Sequence, residues 1–271
     1  WGLFGIGAGM LADRWGSWRV LLGGALLWTL GLCGMALSES PLAFTLSTGV
    51  VIGAAQAAST YGVLYGIIGR QIAPEKRSWA MGVTGAAGSF GQFLLVPTEG
   101  WLISSFGWQQ ALLVLGASTL LIAPLALLLR EPTTPAAATG ATTAQQGIWQ
   151  AMREAMAYPS FRLLMAGYFV CGFQVVFIGV HLPSYLKDQG LAPQVASTAL
   201  ALIGLFNVFG TYAAGALGQR LAKRHILAFI YLARAVAISI FLIVPLSPAS
   251  VYVFAAVMGV LWLSTVPPTN A

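Results

Sequence analysis

The chain has 271 residues, of which 58% are hydrophobic and only 7% formally charged, and its mean hydropathy is +0.82. A soluble domain carries about 25% charged residues to cover its core, so a soluble fold is excluded; sparse charge with 11% aromatic residues excludes disorder. The net charge of +6 marks membrane topology rather than a nucleic-acid surface, because the basic residues lie in short loops between apolar runs.

A bilayer core of about 30 Å needs roughly 20 apolar residues in a helix. Residues 1–12 are apolar but too short to span, and no basic segment precedes them as it would in a signal peptide. Seven runs then meet the length: 20–37, 43–69, 79–103, 109–129, 163–186, 193–218 and 226–244. An eighth, 251–271, is still apolar at the last residue. The expectation is an all-α membrane protein, and a fragment with pieces missing at both ends.

The loops alternate between two sides. Loops 13–19, 70–78, 130–162 and 219–225 hold Arg14, Arg19, Arg70, Lys76, Arg77, Arg130, Arg153, Arg162, Arg220, Lys223 and Arg224. Loops 38–42, 104–108, 187–192 and 245–250 hold Lys187 alone, so the first set is assigned to the cytoplasm. Trp15, Trp18, Trp79, Trp101 and Trp108 fall near span ends, where amphipathic rings settle. Residues 131–147, rich in Ala, Thr and Pro, read as a flexible linker. Residues 148–158 place Ile148, Trp149, Met152 and Met156 at helical spacing, either a helix on the membrane surface or a polar connector. Three units follow: an N-terminal half at 1–130, a cytoplasmic linker at 131–161 and a C-terminal half at 162–271.

Soluble-enzyme chemistry is missing from the pattern. There is no phosphate-binding loop to support ATP-driven pumping. Cys33 and Cys171 sit in apolar runs, and His181 and His225 fall on opposite membrane faces, so no disulfide, metal site or cofactor is expected. The chain reads as a non-enzyme.

Two turns share the order Gly, any, Leu, small, polar, Arg. They are Gly9-Met10-Leu11-Ala12-Asp13-Arg14 and Gly215-Ala216-Leu217-Gly218-Gln219-Arg220. Six spans separate them, which implies a six-helix unit repeated once, a mark of secondary transporters. Gly9-x-Leu11-Ala12-Asp13-Arg14-x-Gly16-x-x-Arg19 resembles the motif between helices two and three of the major facilitator superfamily. Pro74-Glu75-Lys76-Arg77, Phe106-Gly107-Trp108, His181-Leu182-Pro183-Ser184-Tyr185-Leu186 and Leu261–Pro268 resemble bacterial monocarboxylate-transporter-like members. The resemblance implies a two-half bundle, with this chain covering helices two to ten of twelve. It also implies a bacterial inner-membrane location and alternating access. At the positions where animal carriers of this type place an Asp and an Arg four apart in helix eight, this chain has Asn207 and Thr211.

By that resemblance Asp13 locks a cytoplasmic gate, with Arg14 and Arg19 holding its loop. Gly9, Gly16, Gly215 and Arg220 complete the gating set. Helices one, four, seven and ten of the superfamily line a central cavity, so Gln56, Tyr61, Tyr65, Gln174 and Trp262 are candidates to face a substrate, and Asn207 is added from helix eight. Arg234 lies mid-span, at a cost of about 2.5–3.5 kcal/mol unless it meets a partner or water. It either attracts an anion or ties helices together. Glu99 and His181, in the outer thirds of their spans, are candidate proton carriers; histidine is the side chain that ordinarily titrates near neutral pH. Small residues at Gly82, Gly85, Gly88 and Gly91, and at Gly204, Gly210, Gly215 and Gly218, suit close helix packing, either static or in moving parts.

The expected function is transport of a small organic anion, such as a monocarboxylate, with protons. The expected partners are the small-molecule substrate and the lipid bilayer, with no nucleic acid, and the expected state is a monomer. An exporter of apolar or cationic compounds is one alternative, and a membrane-embedded enzyme or non-transporting receptor another.

Overall fold

The computed structural model describes residues 2–129 and 148–270. Helix α1 spans Gly2–Trp15, α2 Ser17–Ala36, α3 Pro41–Gln71, α4 Pro74–Phe106 and α5 Trp108–Leu128. From residue 148 onward, α6 spans Ile148–Ala157, α7 Pro159–Asp188, α8 Pro193–Leu217, α9 Lys223–Ile243 and α10 Pro248–Asn270. The linker expected at 131–147 and Arg130 lie outside the described residues.

Among the described residues, α2, α3, α5, α7, α8, α9 and α10 are long and apolar enough to cross a membrane. Helix α1, with 14 residues, is too short. Helix α4 has 33 residues, about 50 Å of helix, yet it falls outside the apolar set although 79–103 reads as a span from sequence. Its glycines and hydroxyl residues lower its hydropathy, and several of them face α8 rather than lipid.

Several spans depart from simple helices, with local causes. In α3 a π-helical stretch covers Ser47–Ile52, and the helix breaks at Ser59–Thr60. There Ser59 Oγ donates to the Ala55 carbonyl at 2.9 Å and accepts from Trp28 Nε1 of α2 at 3.0 Å. A hydroxyl that bonds back to its own helix competes with the backbone ladder. In α5 the helix is interrupted at Leu120–Leu121, and Pro124 lacks the N–H that would bond the Leu120 carbonyl. Gly16 sits in the tight turn between α1 and α2 with φ +86°, a conformation that favours glycine.

Four apolar clusters form among the described residues, two of them large. One joins Ala8, Ala12, Val20, Leu21, Ala57, Val63 and Ala126 from α1, α2, α3 and α5. The other joins Leu186, Ala199, Ile203, Val251, Ala255 and Met258 from α7, α8 and α10. The most extensive helix contact in the molecule is α4 against α8, which ties the two cores together. A Cβ added at Gly82 would lie 2.9 Å from the Gly215 Cα, so the backbones touch where these glycines meet. Ser78 Oγ donates to the Gly215 carbonyl at 2.9 Å across the same contact.

Candidate functional site

The site grows from a break in α10. This span is helical over Pro248–Leu261 and again over Val266–Asn270, with 262–265 irregular between. Pro267 and Pro268 remove two backbone donors just beyond the break. Backbone groups freed inside a membrane need partners from neighbouring helices. Here two side chains supply them. The Leu263 N–H donates to Asn207 Oδ1 of α8 at 3.0 Å. Arg234 of α9 donates from Nε to the Leu261 carbonyl at 3.0 Å and from Nη2 to the Leu261 and Trp262 carbonyls.

Asn207 is completely buried and fully engaged. Its Nδ2 donates to Ser89 Oγ of α4 at 2.8 Å, and its Oδ1 also accepts from Thr211 Oγ1 at 2.9 Å. One amide therefore binds α4, α8 and α10 together. This position reads from sequence as a substrate ligand; the side-chain bonds in the structure run to Ser89, Thr211 and the Leu263 N–H. Trp262, 4% exposed, is likewise packed in the second core, and it is its carbonyl that reaches the site.

Beside Arg234 a cavity of about 800 Å³ opens between α7, α9 and α10. Arg234 is 2% exposed, and Tyr231 lies below its guanidinium with 5.5 Å between them. Its Nη1 donates to Gln174 Oε1 at 3.5 Å. Gln174 Nε2 is buried and has no hydrogen-bond partner among the described residues. No carboxylate among the described residues comes within 4.0 Å of the guanidinium, so its charge stands without an acid. Phe173, Phe177, Phe241 and Phe254 form aromatic walls, and His181, Tyr185 and Asp188 line the cavity toward the end of α7. Gln174, His181 and Arg234 are thus brought to one cavity. The seam of orphaned amide, buried cation and aromatic wall can hold an anionic head with an apolar body.

The other candidates fall elsewhere. Tyr65 is 4% exposed and donates to the Met81 carbonyl of α4 at 3.1 Å, and Tyr61 donates to the Gly85 carbonyl at 3.5 Å. Both tie α3 to α4. Gln56 is exposed on α3. Glu99 is exposed on α4 and does not line the cavity beside Arg234.

The gating set also divides. Asp13 pairs with Arg70 at the end of α3, Oδ1 to Nη1 at 3.3 Å, and Arg70 Nη2 donates to the buried Ser17 Oγ at 2.6 Å. The α1–α2 turn is therefore clamped to α3 by a bridging arginine that sequence assigns only to topology. Its visible signal is a basic residue ending the neighbouring span. Arg19 lies over the Trp18 ring at 5.1 Å. Arg14 and Arg220 are exposed. Gly9 is open, with nothing within 4 Å of an added Cβ, whereas Gly215 is pressed against α4. Other contributors legible only in three dimensions are Ser89, Tyr231 and the phenylalanine walls.

A family model for the Major Facilitator Superfamily matches residues 2–271. Monocarboxylate transporter 11 of Mus musculus is 29% identical over 220 residues, covering 78% of this chain and 46% of that protein. An MFS-type efflux pump of Mycolicibacterium smegmatis is 28% identical over 233 residues, covering 82% of this chain and 51% of its own length. Monocarboxylate transporter 13 of Rattus norvegicus is 27% identical over 216 residues, covering 77% of this chain and 47% of its own length. The chain spans about half the length of the curated relatives it matches.

Proposed function

The chain belongs to the Major Facilitator Superfamily, and from that premise we propose that it forms part of a proton-coupled carrier of a small organic anion, working by alternating access in the bacterial inner membrane. It is an integral multi-pass protein of a transporter family and not an enzyme. The observation that carries the anion is Arg234: a guanidinium 2% exposed, without an acid beside it, lining a cavity next to an unpartnered amide nitrogen of Gln174. A buried cation is costly in a membrane unless something compensates it. A cargo carboxylate would do so with a charge-assisted hydrogen bond, the stronger kind. Two of the matched relatives bear the name monocarboxylate transporter, which agrees with this cargo.

Three further roles belong to the proposal. His181, exposed in the same cavity, carries the proton, and Glu99 stands aside from it. Asp13 and Arg70 hold the cytoplasmic gate, with Gly16, Arg14 and Arg19 shaping its turn. The halves, 1–130 and 162–271, rock about the contact of α4 with α8. The carrier acts as a monomer.

Reconstitution into proteoliposomes tests the reading. Carboxylate uptake driven by an inward proton gradient is expected, abolished in Arg234→Gln and flattened in its pH dependence in His181→Asn. Uptake of no carboxylate, or uptake indifferent to pH, overturns it. Uptake of neutral apolar compounds in place of acids would favour the exporter reading instead, which the aromatic walls and the efflux-pump relative also suit.

A further inference from the structure

The cavity beside Arg234 is far larger than a short-chain acid needs, and its walls are not neutral about what fills the remainder. Resting on the anion-carrier reading above, we propose that the cargo is an aromatic monocarboxylate, its carboxylate at Arg234 and Gln174 and its ring between the phenylalanines of α7, α9 and α10.

Size is the first argument. The cavity holds about 800 Å³, within the roughly 300–1,000 Å³ range of sites for ligands of drug size. At about 30 Å³ per water-sized unit, a three-carbon acid of six heavy atoms would take up less than roughly a quarter of it. The rest would hold water against apolar walls, which gains nothing from burial.

Shape and chemistry are the second. The cavity runs along α7 from Val170 to Asp188, a rise of about 27 Å. Gln174 and Arg234 lie toward the Val170 end, and aromatic residues follow. On α7, Phe173, Phe177 and His181 line it at every fourth residue, with ring centroids 5.7 and 4.8 Å apart in sequence. Phe241 of α9 and Phe254 of α10 stack at 4.0 Å on the facing elements. Aromatic rings pair with one another at centroid separations of about 4.5–7 Å, so the ladder offers successive surfaces to a planar ring. Phe173 and Phe177 remain 61% and 50% exposed.

Charge is the third, and it limits the cargo to one carboxylate. Arg234 is the only lysine or arginine among the residues lining the cavity, and three of its contacts already go to the α10 carbonyls. The one Nη1 hydrogen not given to Gln174 Oε1 and the free Gln174 Nε2 suit one two-oxygen head. A second carboxylate beside the first would meet no further lysine or arginine in the lining.

The test is equilibrium binding to the full-length protein in detergent, with propionate, 3-phenylpropionate, phenylsuccinate and 3-phenylpropanol as probes. Burying one phenyl group favours 3-phenylpropionate over propionate by roughly 10- to 100-fold. Phenylsuccinate and 3-phenylpropanol are expected to bind at least about tenfold more weakly than 3-phenylpropionate. Phe177→Leu and Phe173→Leu, which keep an apolar wall but remove the ring, are expected to weaken 3-phenylpropionate several-fold more than propionate and so narrow the phenyl preference. Propionate binding as tightly as 3-phenylpropionate, or a preference that both variants leave intact, overturns the aromatic assignment while the anion reading stands. The alcohol binding as well as the acid, or no acid binding at all, overturns the anion reading itself.

Discussion

The two glycine-led turns have similar sequences and opposite surroundings. At Gly215, α8 lies backbone to backbone on α4, sealed by Gly82 and by the Ser78 hydroxyl on the Gly215 carbonyl. At Gly9 the same position of the motif faces open space, and the turn is held instead by Asp13, Arg70 and Ser17. One copy is fastened by packing and the other by charge. The difference bears on the rocking proposed above, because close packing in lipid persists whatever the salt, while an exposed ion pair is weak and easily exchanged. The α4–α8 contact has the properties of a pivot, and the Asp13 clamp those of a latch.

The contrast can be broken most severely at the pivot. Gly215→Val brings a Cβ to 2.6 Å from the Gly82 Cα and 2.7 Å from the Ser78 carbonyl oxygen. The helices must separate, at a cost of about 1–3 kcal/mol or more, read as a fall in Tm in detergent together with loss of uptake. Gly9→Val should stay within about 0.5 kcal/mol of the parent. Equal losses in the two variants would refute the division into pivot and latch.

Next in size is Arg234→Met. It strands the carbonyls of Leu261 and Trp262, each worth about 1–3 kcal/mol when left unpaired. A lower Tm and absent anion binding are both expected, and a variant that keeps its Tm would show that α10 does not need this support. Asn207→Ala, which releases the Leu263 N–H and Ser89, should cost about 1–3 kcal/mol with anion binding retained. Loss of binding in a folded Asn207→Ala protein would return this residue to the cargo. Smallest is Asp13→Asn. The pair is 42% and 74% exposed, so the stability change should be below about 1 kcal/mol and shrink in high salt. A larger or salt-insensitive loss in thermal melts would make the latch a structural joint.

The spans were largely legible because each must present apolar side chains to lipid over a fixed thickness. Runs 163–186, 193–218 and 226–244 agree with α7, α8 and α9 to within a few residues. Helix α4 departs because it trades lipid contact for a glycine seam, so its composition records a neighbour and not the solvent. Breaks were harder to foresee. Pro267 and Pro268 signal one in α10, but nothing local announces that residues 27 and 56 positions away, Arg234 and Asn207, repair it. Gln174 and Arg234 stand out in sequence as polar groups in apolar runs, and they do meet. Tyr61, Tyr65, Asn207 and Trp262 stand out for the same reason, yet they join helices to one another. A polar residue in a span must find a partner, and periodicity does not say whether that partner is a helix or a cargo.

Composition alone determined that this chain lives in a bilayer and where most of its spans lie, since hydrophobic thickness acts on each segment separately. Only the tertiary structure decided that α4 belongs against α8, that Asp13 is answered by Arg70, and that Arg234 both mends a broken helix and lines a cavity. Those outcomes depend on which faces of distant helices meet, and hydrogen bonds between them form only once the backbones have been brought within a few ångströms.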